Sequence, residues 1–556
     1  MNDGDGGAWT RRRFLGLVGR AGGAAAVYET MTAMGLINLP EAWSGPLELP
    51  AGSGAGKSVL ILGAGIGGLT AAYELGRAGY RCEILEAQER AGGRSLTARR
   101  GSVITEDGDR GVSRQTCRFD DGLYLNMGPG RLPYHHRRAL HYCQDLGVPL
   151  EIYVMETTAN RYQTDKAFGG RPQANRRIAN DTRGYVAELL AKAICQKSLD
   201  AQLDEGDRER LLSLLKVFGD LQGEKCPDYA YAGSTRSGCA EPPTVYQACG
   251  AEEKLGFADL LRSEFWRHRF YQPVDFEWQP TLFQPVNGMD QLVEGFKRKV
   301  GQLIRYRTEV IDIRLRPDGV DVTSRTATRE KQVRHADYCL SNIPLPLLHQ
   351  IPANFSDDFG KAVGRARFAP TCKVGWQANR RFWETGDEIY GGISWIDDMI
   401  TQVWYPSNGY FGAKGTLTGA YNFQDDAVTL GRMGLEERLA TARQGAVKLH
   451  PEFADDSIVP QSLGLSIAWQ NVPFQRGGWA EWSAESTEDR DAYARLLEPD
   501  GRFQVIGDQV STLPGWQEGA MMSAEHAVEQ IASGLRLGKR PAVLHAPDSR
   551  RVAQGR

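Results

Sequence analysis

The most regular apolar run in the chain is Val59-Leu60-Ile61-Leu62. Aliphatic residues in unbroken succession predict a strand buried on both faces, as in a parallel sheet covered by helices. A helical period follows over Leu69 to Ala78 and stops at Gly79, and Tyr80 to Leu85 predicts a second strand. Pro133 to Leu146 reads as a helix closed by Gly147 and Pro149. The stretch from 160 to 280 is polar, with helical periodicity at Gly184 to Ala193 and Asp207 to Phe218, and predicts an added helical region. Period-two alternation returns at Tyr306 to Ile313, Gly319 to Val322 and the short run Ala336 to Leu340. Residues 371 to 425 alternate again and are dense in Trp, Tyr, Phe and Gly, which predicts a second sheet walling an aromatic pocket. Arg502 to Ile506 predicts a strand, and Gln517 to Ile531 the last helix.

The fold class expected from this order is α/β: a Rossmann-like nucleotide-binding domain with a mixed-sheet substrate domain and a helical insertion. A chain of 556 residues exceeds what one core supports. The expected division is a leader and Gly/Ser linker at 1–56, nucleotide-binding segments at 57–135, 281–345 and 496–540, a helical and substrate-domain region at 136–280, a substrate-binding domain at 346–495, and a tail at 541–556.

Candidate chemistry begins where the first strand ends, in Gly63-Ala64-Gly65-Ile66-Gly67-Gly68. Gly63 permits a tight turn, Gly65 lets a pyrophosphate approach the backbone, and Gly68 lets the helix pack on the strand with its N-terminal amides toward the phosphates. Glu86, followed by Ala87, closes the second strand about 20 residues on, where a carboxylate can hydrogen-bond a ribose. Gly92-Gly93-Arg94 just beyond gives this dinucleotide unit an FAD accent.

Composition narrows the picture. With 41% apolar and 24% charged residues, a formal charge of -3 and no basic stripe, the chain is an ordinary globular protein and nucleic acid is not an expected partner. Nine cysteines without CxxC pairs or histidine partners do not indicate a metal site. Their odd number and wide spacing argue against a disulfide framework. Most are expected as buried thiols, although Cys239 and Cys249, in a loop-like stretch, could pair in an oxidising compartment. Thr10-Arg11-Arg12-Arg13-Phe14-Leu15-Gly16 resembles a twin-arginine export signal, which implies a periplasmic or secreted protein; a leader without that function would leave it cytoplasmic. Nothing else is long and apolar enough to span a bilayer.

From Lys57 to about Gly534 the chain resembles the flavin-containing amine oxidases and, within them, the bacterial type of L-amino-acid oxidase. The resemblance rests on the motifs above and on several further ones. Pro285 to Leu292 is similar to the family's central segment, and Val310 matches a strand whose backbone contacts adenine. The Gly507-Asp508 pair resembles the Gly-Glu that bonds the ribityl chain, with a shorter acid. Leu125-Asn126-Met127-Gly128-Pro129-Gly130-Arg131 is similar to the loop beneath the flavin, and its arginine would fork onto the substrate carboxylate. The resemblance gives the Tyr405 hydroxyl to the same carboxylate and makes Lys373 the holder of a water near flavin N5. It also sets Gly515 and Trp516 against the amine and the flavin, and aims the helix that opens at Gln517 and Ala520 toward the flavin pyrimidine. Ser511-Thr512-Leu513-Pro514 lacks a flavin-linking cysteine, so FAD is expected without a covalent bond.

The implied activity is oxidation of an L-amino acid by hydride transfer from Cα to flavin N5, with oxygen as acceptor. Products would be a 2-oxo acid, ammonia and hydrogen peroxide. An L-amino-acid monooxygenase that decarboxylates to an amide stays open, as do an amine or polyamine oxidase, an idle FAD-binding scaffold and an alcohol-oxidising relative. A homodimer or higher homo-oligomer is also open. Trp376, Trp395, Trp404, Trp469 and Trp479 are candidates to line a roomy apolar pocket, although each taken singly is expected in the core.

Overall fold

The computed structural model describes Trp43, residues 45–198 and residues 203–533. The arginine-rich leader lies outside the described residues. The described residues divide into two compact units, one formed within 45–89, 302–366 and 482–533, the other within 90–198, 203–301 and 367–481.

The first unit is built on a five-stranded parallel sheet. Ser58–Leu62 lies between Arg81–Leu85 and Tyr338–Ser341, with Ile304–Arg305 and Phe503–Val505 at the edges. The aliphatic run Val59 to Leu62 is buried throughout, as a strand covered on both faces must be. Helices Ile66–Arg77 and Gln517–Ala532 belong to the same unit, and a Cβ added at Gly67 would stand 3.2 Å from the Ala520 carbonyl oxygen. A separate antiparallel sheet of Glu309–Leu315, Val320–Arg325 and Lys331–Ala336 extends it. The single strand expected over Ala336 to Leu340 is therefore two strands in two sheets, turned at Asp337. That carboxylate accepts from Ser58 N and Ser58 Oγ, both at 2.7 Å, which fixes the corner.

The second unit carries a seven-stranded sheet in which Gln402–Trp404, Gly415–Phe423, Thr371–Ala378 and Gly464–Ala468 are successive neighbours. Cys372, Val374 and Trp376 enter its core with Phe453 and Leu417. A buried bidentate pair, Arg438 Nη1 and Nη2 on Glu106 Oε1 and Oε2 at 2.9 and 3.0 Å, ties a flanking helix to the hairpin Val103–Gly108. Both groups are hydrogen-bonded further, to Ser466 Oγ and Ala468 N, which is what makes burial of the pair tolerable.

The expected insertion is present as helices Asn175–Cys195, Glu205–Gly219 and Phe257–Ser263 with short 3-10 turns. Asp181, fully buried, organises it by accepting from Tyr231 Oη (2.5 Å), Ser237 Oγ (2.6 Å) and Leu255 N (2.7 Å). Two disulfides lie here. Cys239–Cys249 pairs as the loop allowed, and Cys195–Cys226 corrects the expectation of a chain without a disulfide framework. Spacing hid it, because the partner comes back only after a whole helix. The helix expected from Pro133 is also shorter, Arg137–Asp145; Leu132–Pro133 pairs instead as a strand with Leu282–Pro285. Among the described residues no helix is long and apolar enough to cross a membrane.

Candidate active site

In the first unit, the turn after Ser58–Leu62 takes the form its glycines predict. Gly63 has φ +99°, and a Cβ on Gly68 would stand 2.1 Å from the Gly63 carbonyl oxygen, so the helix can begin only with glycine there. Helix Ile66–Arg77 starts at Gly65 with no side-chain cap and no acid in its first turn. An N-terminus left in that condition fits a phosphate group, and this is the feature by which the residues present suit a dinucleotide. Glu86 is buried; Oε2 accepts from Ala64 N and Oε1 from Gln88 N, both at 2.8 Å, so the acid braces the glycine turn as well as facing the end of the strand. The Glu86 carbonyl accepts from Thr308 N at 2.9 Å, which brings the strand carrying Val310 alongside Ala87.

Asp508 is buried, and its Oδ2 accepts from Gly515 N at 2.8 Å, locking the turn Gly515-Trp516 that precedes Gln517–Ala532. The helix begins at Trp516 without a side-chain cap. Glu518 stands in its first turn and offsets the positive end that the resemblance aims at a flavin.

In the second unit, strand Thr371–Ala378 is buried at every position, and its alternation explains how a lysine comes to lie inside it. Cys372, Val374 and Trp376 face the apolar core; Lys373 and Gly375 face the loop 125–131, and Gln377, on the same side, bonds Asp120 just before it. Lys373 Nζ donates to the carbonyls of Asn126 (3.0 Å) and Gly128 (2.8 Å), while Trp469 Nε1 takes the Met127 carbonyl between them (3.0 Å). Consecutive carbonyls are thus each satisfied from the sheet, and the backbone leading to Pro129, Gly130 and Arg131 is held in one place. Gly128 is required by a close approach, since a Cβ there would stand 1.8 Å from the Arg94 carbonyl oxygen. Arg94, after Gly92 and Gly93, lies over the Phe368 ring and donates to the Gly478 carbonyl.

Burial and the nearby Arg131 charge push the Lys373 ammonium down to about 7 from its usual 10.5. Its Nζ sits 4.7 Å from the centre of the Trp404 ring and 4.5 Å from that of Tyr421, which lies opposite it across the strand pair. Arg131, 9% exposed, sets its guanidinium carbon 5.3 Å from Trp404 and 5.8 Å from Tyr153. Asn126, Gly130, Tyr153, Trp404 and Thr418 border a small open pocket beside this cluster.

Tyr405 is placed differently from its neighbour. Trp404 turns toward Arg131 and Lys373, whereas the Tyr405 hydroxyl, 2% exposed, lies 2.8 Å from Ser394 Oγ and 2.5 Å from His450 Nε2. His450 Nδ1 is 2.9 Å from Asp387 Oδ2. Burial pushes the His450 imidazole pKa down and favours its neutral ring. Successive residues of an extended segment point to opposite faces, and this alternation separates the two side chains.

Trp404, Tyr421 and Tyr153 thus surround the two cations, a placement that sequence reasoning did not assign; the register that sets Tyr421 opposite Lys373 is a feature of the folded sheet. Of the other tryptophans, Trp376 and Trp395 are core, Trp469 holds the loop, and Trp479 packs on Phe423. His135 and His136 bring Nε2 to 3.1 and 3.3 Å from Glu277 Oε2, a cluster of metal-ligand type that the cysteine and histidine spacing did not suggest.

Comparison with known proteins defines the class. The model of the flavin-containing amine oxidoreductases matches residues 66–532, and the chain belongs to that family. It is 27% identical to the flavin-dependent L-tryptophan oxidase RebO of Lentzea aerocolonigenes over 86% of this chain and 98% of that protein. It is 26% identical to the L-amino-acid oxidase of Daboia russelii over 85% and 89%, and 24% identical to the putative L-amino-acid oxidase YobN of Bacillus subtilis over 85% and 94%. Solved structures of the same fold include a triple mutant of putrescine oxidase (TM-score 0.57, 16% identity, 86% of this chain and 99% of that one). Cyclohexylamine oxidase from Brevibacterium oxydans IH-35A is another (0.53, 14%, 86% and 98%). The fold is that of an FAD-dependent amine oxidase, and family membership implies FAD as the cofactor.

Proposed function

We infer that the protein is an L-amino-acid oxidase. The observation that carries this reading is Arg131, a buried guanidinium on a loop held by Lys373 and Trp469: an amine lacking a carboxylate has no use for it, and a carboxylate matches its fork of donors. The relatives named for L-amino-acid oxidation support the same substrate class. FAD, when bound, accepts the hydride from the substrate Cα and passes its electrons to dioxygen. Gly63, Gly65, Ile66, Gly67, Gly68, Glu86, Ala87 and Val310 would hold its nucleotide half. Gly93, Arg94, Gly128, Pro129, Gly130, Asp508, Gly515, Trp516, Gln517 and Ala520 would hold the rest, without a covalent link.

The chain's own groups position the substrate. Arg131 takes the α-carboxylate. Trp404 closes one side of the reacting centre and keeps bulk water from Arg131 and Lys373, and Gly515 and Trp516 receive the amine. Two donors of Lys373 Nζ are committed to carbonyls. At its lowered pKa the third position alternates between proton and lone pair near neutrality, which suits Nζ to hold a water and exchange a proton with it. Tyr405, bonded to Ser394 and His450, anchors the chain directly after Trp404. Two disulfides suit an oxidising compartment and favour export.

The test is a panel of L-amino acids and the corresponding amines assayed for hydrogen peroxide and for amide. Peroxide with 2-oxo acid from amino acids alone is the expected result; amide in place of 2-oxo acid would make the protein a monooxygenase, and turnover of amines would make it an amine oxidase. Acid precipitation should release the flavin into the supernatant.

A further inference from the structure

Within the second unit, the chain that leaves Arg131 meets the returning end of the insertion at a cluster to which the oxidation assigns no role. Strand Leu132–Pro133 runs antiparallel to Leu282–Pro285, with Phe283 opposite Leu132 and Leu282 opposite Pro133. Tyr134 N then donates to the Thr281 carbonyl at 3.0 Å. The two histidines that follow stand just before helix Arg137–Asp145 and come opposite Glu277, in the 3-10 turn Phe276–Trp278. Among the described residues, His135, His136 and Glu277 are the one group of metal-ligand side chains whose donor atoms all lie within 4.8 Å of one another.

Both imidazoles present Nε2, and both turn it to the same carboxylate oxygen, Glu277 Oε2, at 3.1 Å from His135 and 3.3 Å from His136. Hydrogen bonds to a carboxylate contract to about 2.7–2.9 Å, shorter than either contact. Ligands held about 2.0–2.1 Å from a tetrahedral ion stand roughly 3.3–3.4 Å apart, close to both. The rings are held in place: His135 stacks on Phe276 with centres 4.2 Å apart and planes at 27°, and His136 meets His135 edge-on at 4.8 Å. His136 is fully buried, whereas the side chains of His135 and Glu277 keep 16% and 27% of their surface exposed, which gives an ion a way in from solvent. Two imidazole nitrogens and one carboxylate oxygen suit zinc or a neighbouring divalent transition ion; calcium and magnesium take oxygen ligands.

We propose that His135 Nε2, His136 Nε2 and Glu277 Oε2 bind one divalent ion of the zinc class, with water completing its shell. The ion clasps the segment after Arg131 to the end of the insertion, joining residues 142 and 141 positions apart in the sequence. This site stands whatever substrate the flavin oxidises. His135 Nδ1 is buried with no hydrogen-bond partner, so that ring lacks the outer acceptor that strengthens the tightest sites, and the affinity expected is micromolar.

The experiment is equilibrium dialysis of the chelator-stripped holoenzyme against Zn²⁺, with bound metal counted per chain, for the native protein, His135→Phe and Glu277→Gln. His135→Phe keeps a ring on Phe276, and Glu277→Gln keeps an acceptor for both imidazoles, so each weakens the ligand set at small cost to packing. The native protein should bind one Zn²⁺ with Kd on the order of 1–10 µM, and each variant should bind it at least about tenfold more weakly. X-ray absorption at the zinc edge of the native protein should show two imidazoles and a shell of nitrogen and oxygen at about 2.0–2.1 Å. Should His135→Phe not fold, Glu277→Gln and the spectrum decide. A native Kd above about 100 µM, Zn²⁺ bound as tightly by Glu277→Gln as by the native protein, or sulfur in the zinc shell would overturn the proposal.

Discussion

Arg131 and Trp404 lie together in the second unit, guanidinium carbon 5.3 Å from the indole centre, although the two come from a loop and a strand far apart in sequence. The same indole covers Lys373 Nζ at 4.7 Å, so one aromatic ring shields both the group proposed to hold the substrate carboxylate and the amine whose proton affinity burial has lowered.

Replacing Trp404 should move the titration of Lys373. Burial is the main cause of its lowered pKa, and Trp404→Ala admits water, so the pKa should climb from about 7 toward 10.5. The acid limb of the kcat/KM profile should shift to higher pH by a unit or more, on the order of what loss of desolvation produces. Trp404→Phe should leave it near the native position. The full pH profile of the reductive half-reaction checks this, and an unmoved limb would separate Trp404 from Lys373.

Lys373 should also appear in the stability. Its folded pKa of about 7 lies below the unfolded 10.5. Below pH 7 both states carry the proton and the folded state bears the full cost of a buried charge. Between the two values only the unfolded state is protonated, so this group makes stability rise with pH; above 10.5 its cost is gone. Lys373→Met removes the dependence, so its stability relative to the native protein should be most favourable below pH 7 and fall by about 5 kcal/mol on passing above pH 10.5. Denaturant titrations across that range measure it. A constant difference would mean the lysine titrates normally.

Much of this site was legible before the fold was known, for reasons that differ by residue. The turn at Gly63 to Gly68 and the acid at Glu86 belong to one local supersecondary unit, where spacing alone carries geometry. Lys373 stood out because a cation in a buried strand demands a reason. Tyr405 and Trp404 show the limit: which of two adjacent aromatics faces the site depends on strand alternation, and a one-residue change of phase reverses it. The meeting of His135 and His136 with Glu277, and the bridge Cys195–Cys226, lay beyond reach because they are set by how the insertion folds back, which leaves no periodic trace.

The backbone of loop 125–131 should tolerate no side chain at Gly128. A Cβ there meets the Arg94 carbonyl oxygen at 1.8 Å, and a backbone atom cannot rotate away. Gly128→Ala should displace the loop, with loss of activity of at least about a hundredfold, as expected when reacting groups move by an ångström. A crystal structure or the flavin content per chain would register the shift; native kinetics would contradict it.

Removing Cys195–Cys226 should loosen the insertion. The bridge closes a segment of 31 residues, for which chain entropy gives about 3–4 kcal/mol. Cys195→Ser with Cys226→Ser should raise hydrogen exchange across Asn175–Cys195 and Glu205–Gly219 ahead of the parallel sheet. Exchange that rises uniformly over both units would contradict a local role.

The central claim is that Arg131 makes this an oxidase of amino acids, and its most direct measurement is kcat/KM for the best L-amino acid and for the amine that lacks its carboxylate, in the native protein and in Arg131→Ala. The account predicts a native preference for the amino acid of a hundredfold or more, and a collapse of that preference in the variant through loss on the amino acid alone, about 3 kcal/mol for a buried charge-assisted pair. An unchanged kcat/KM for the amino acid in Arg131→Ala would contradict it.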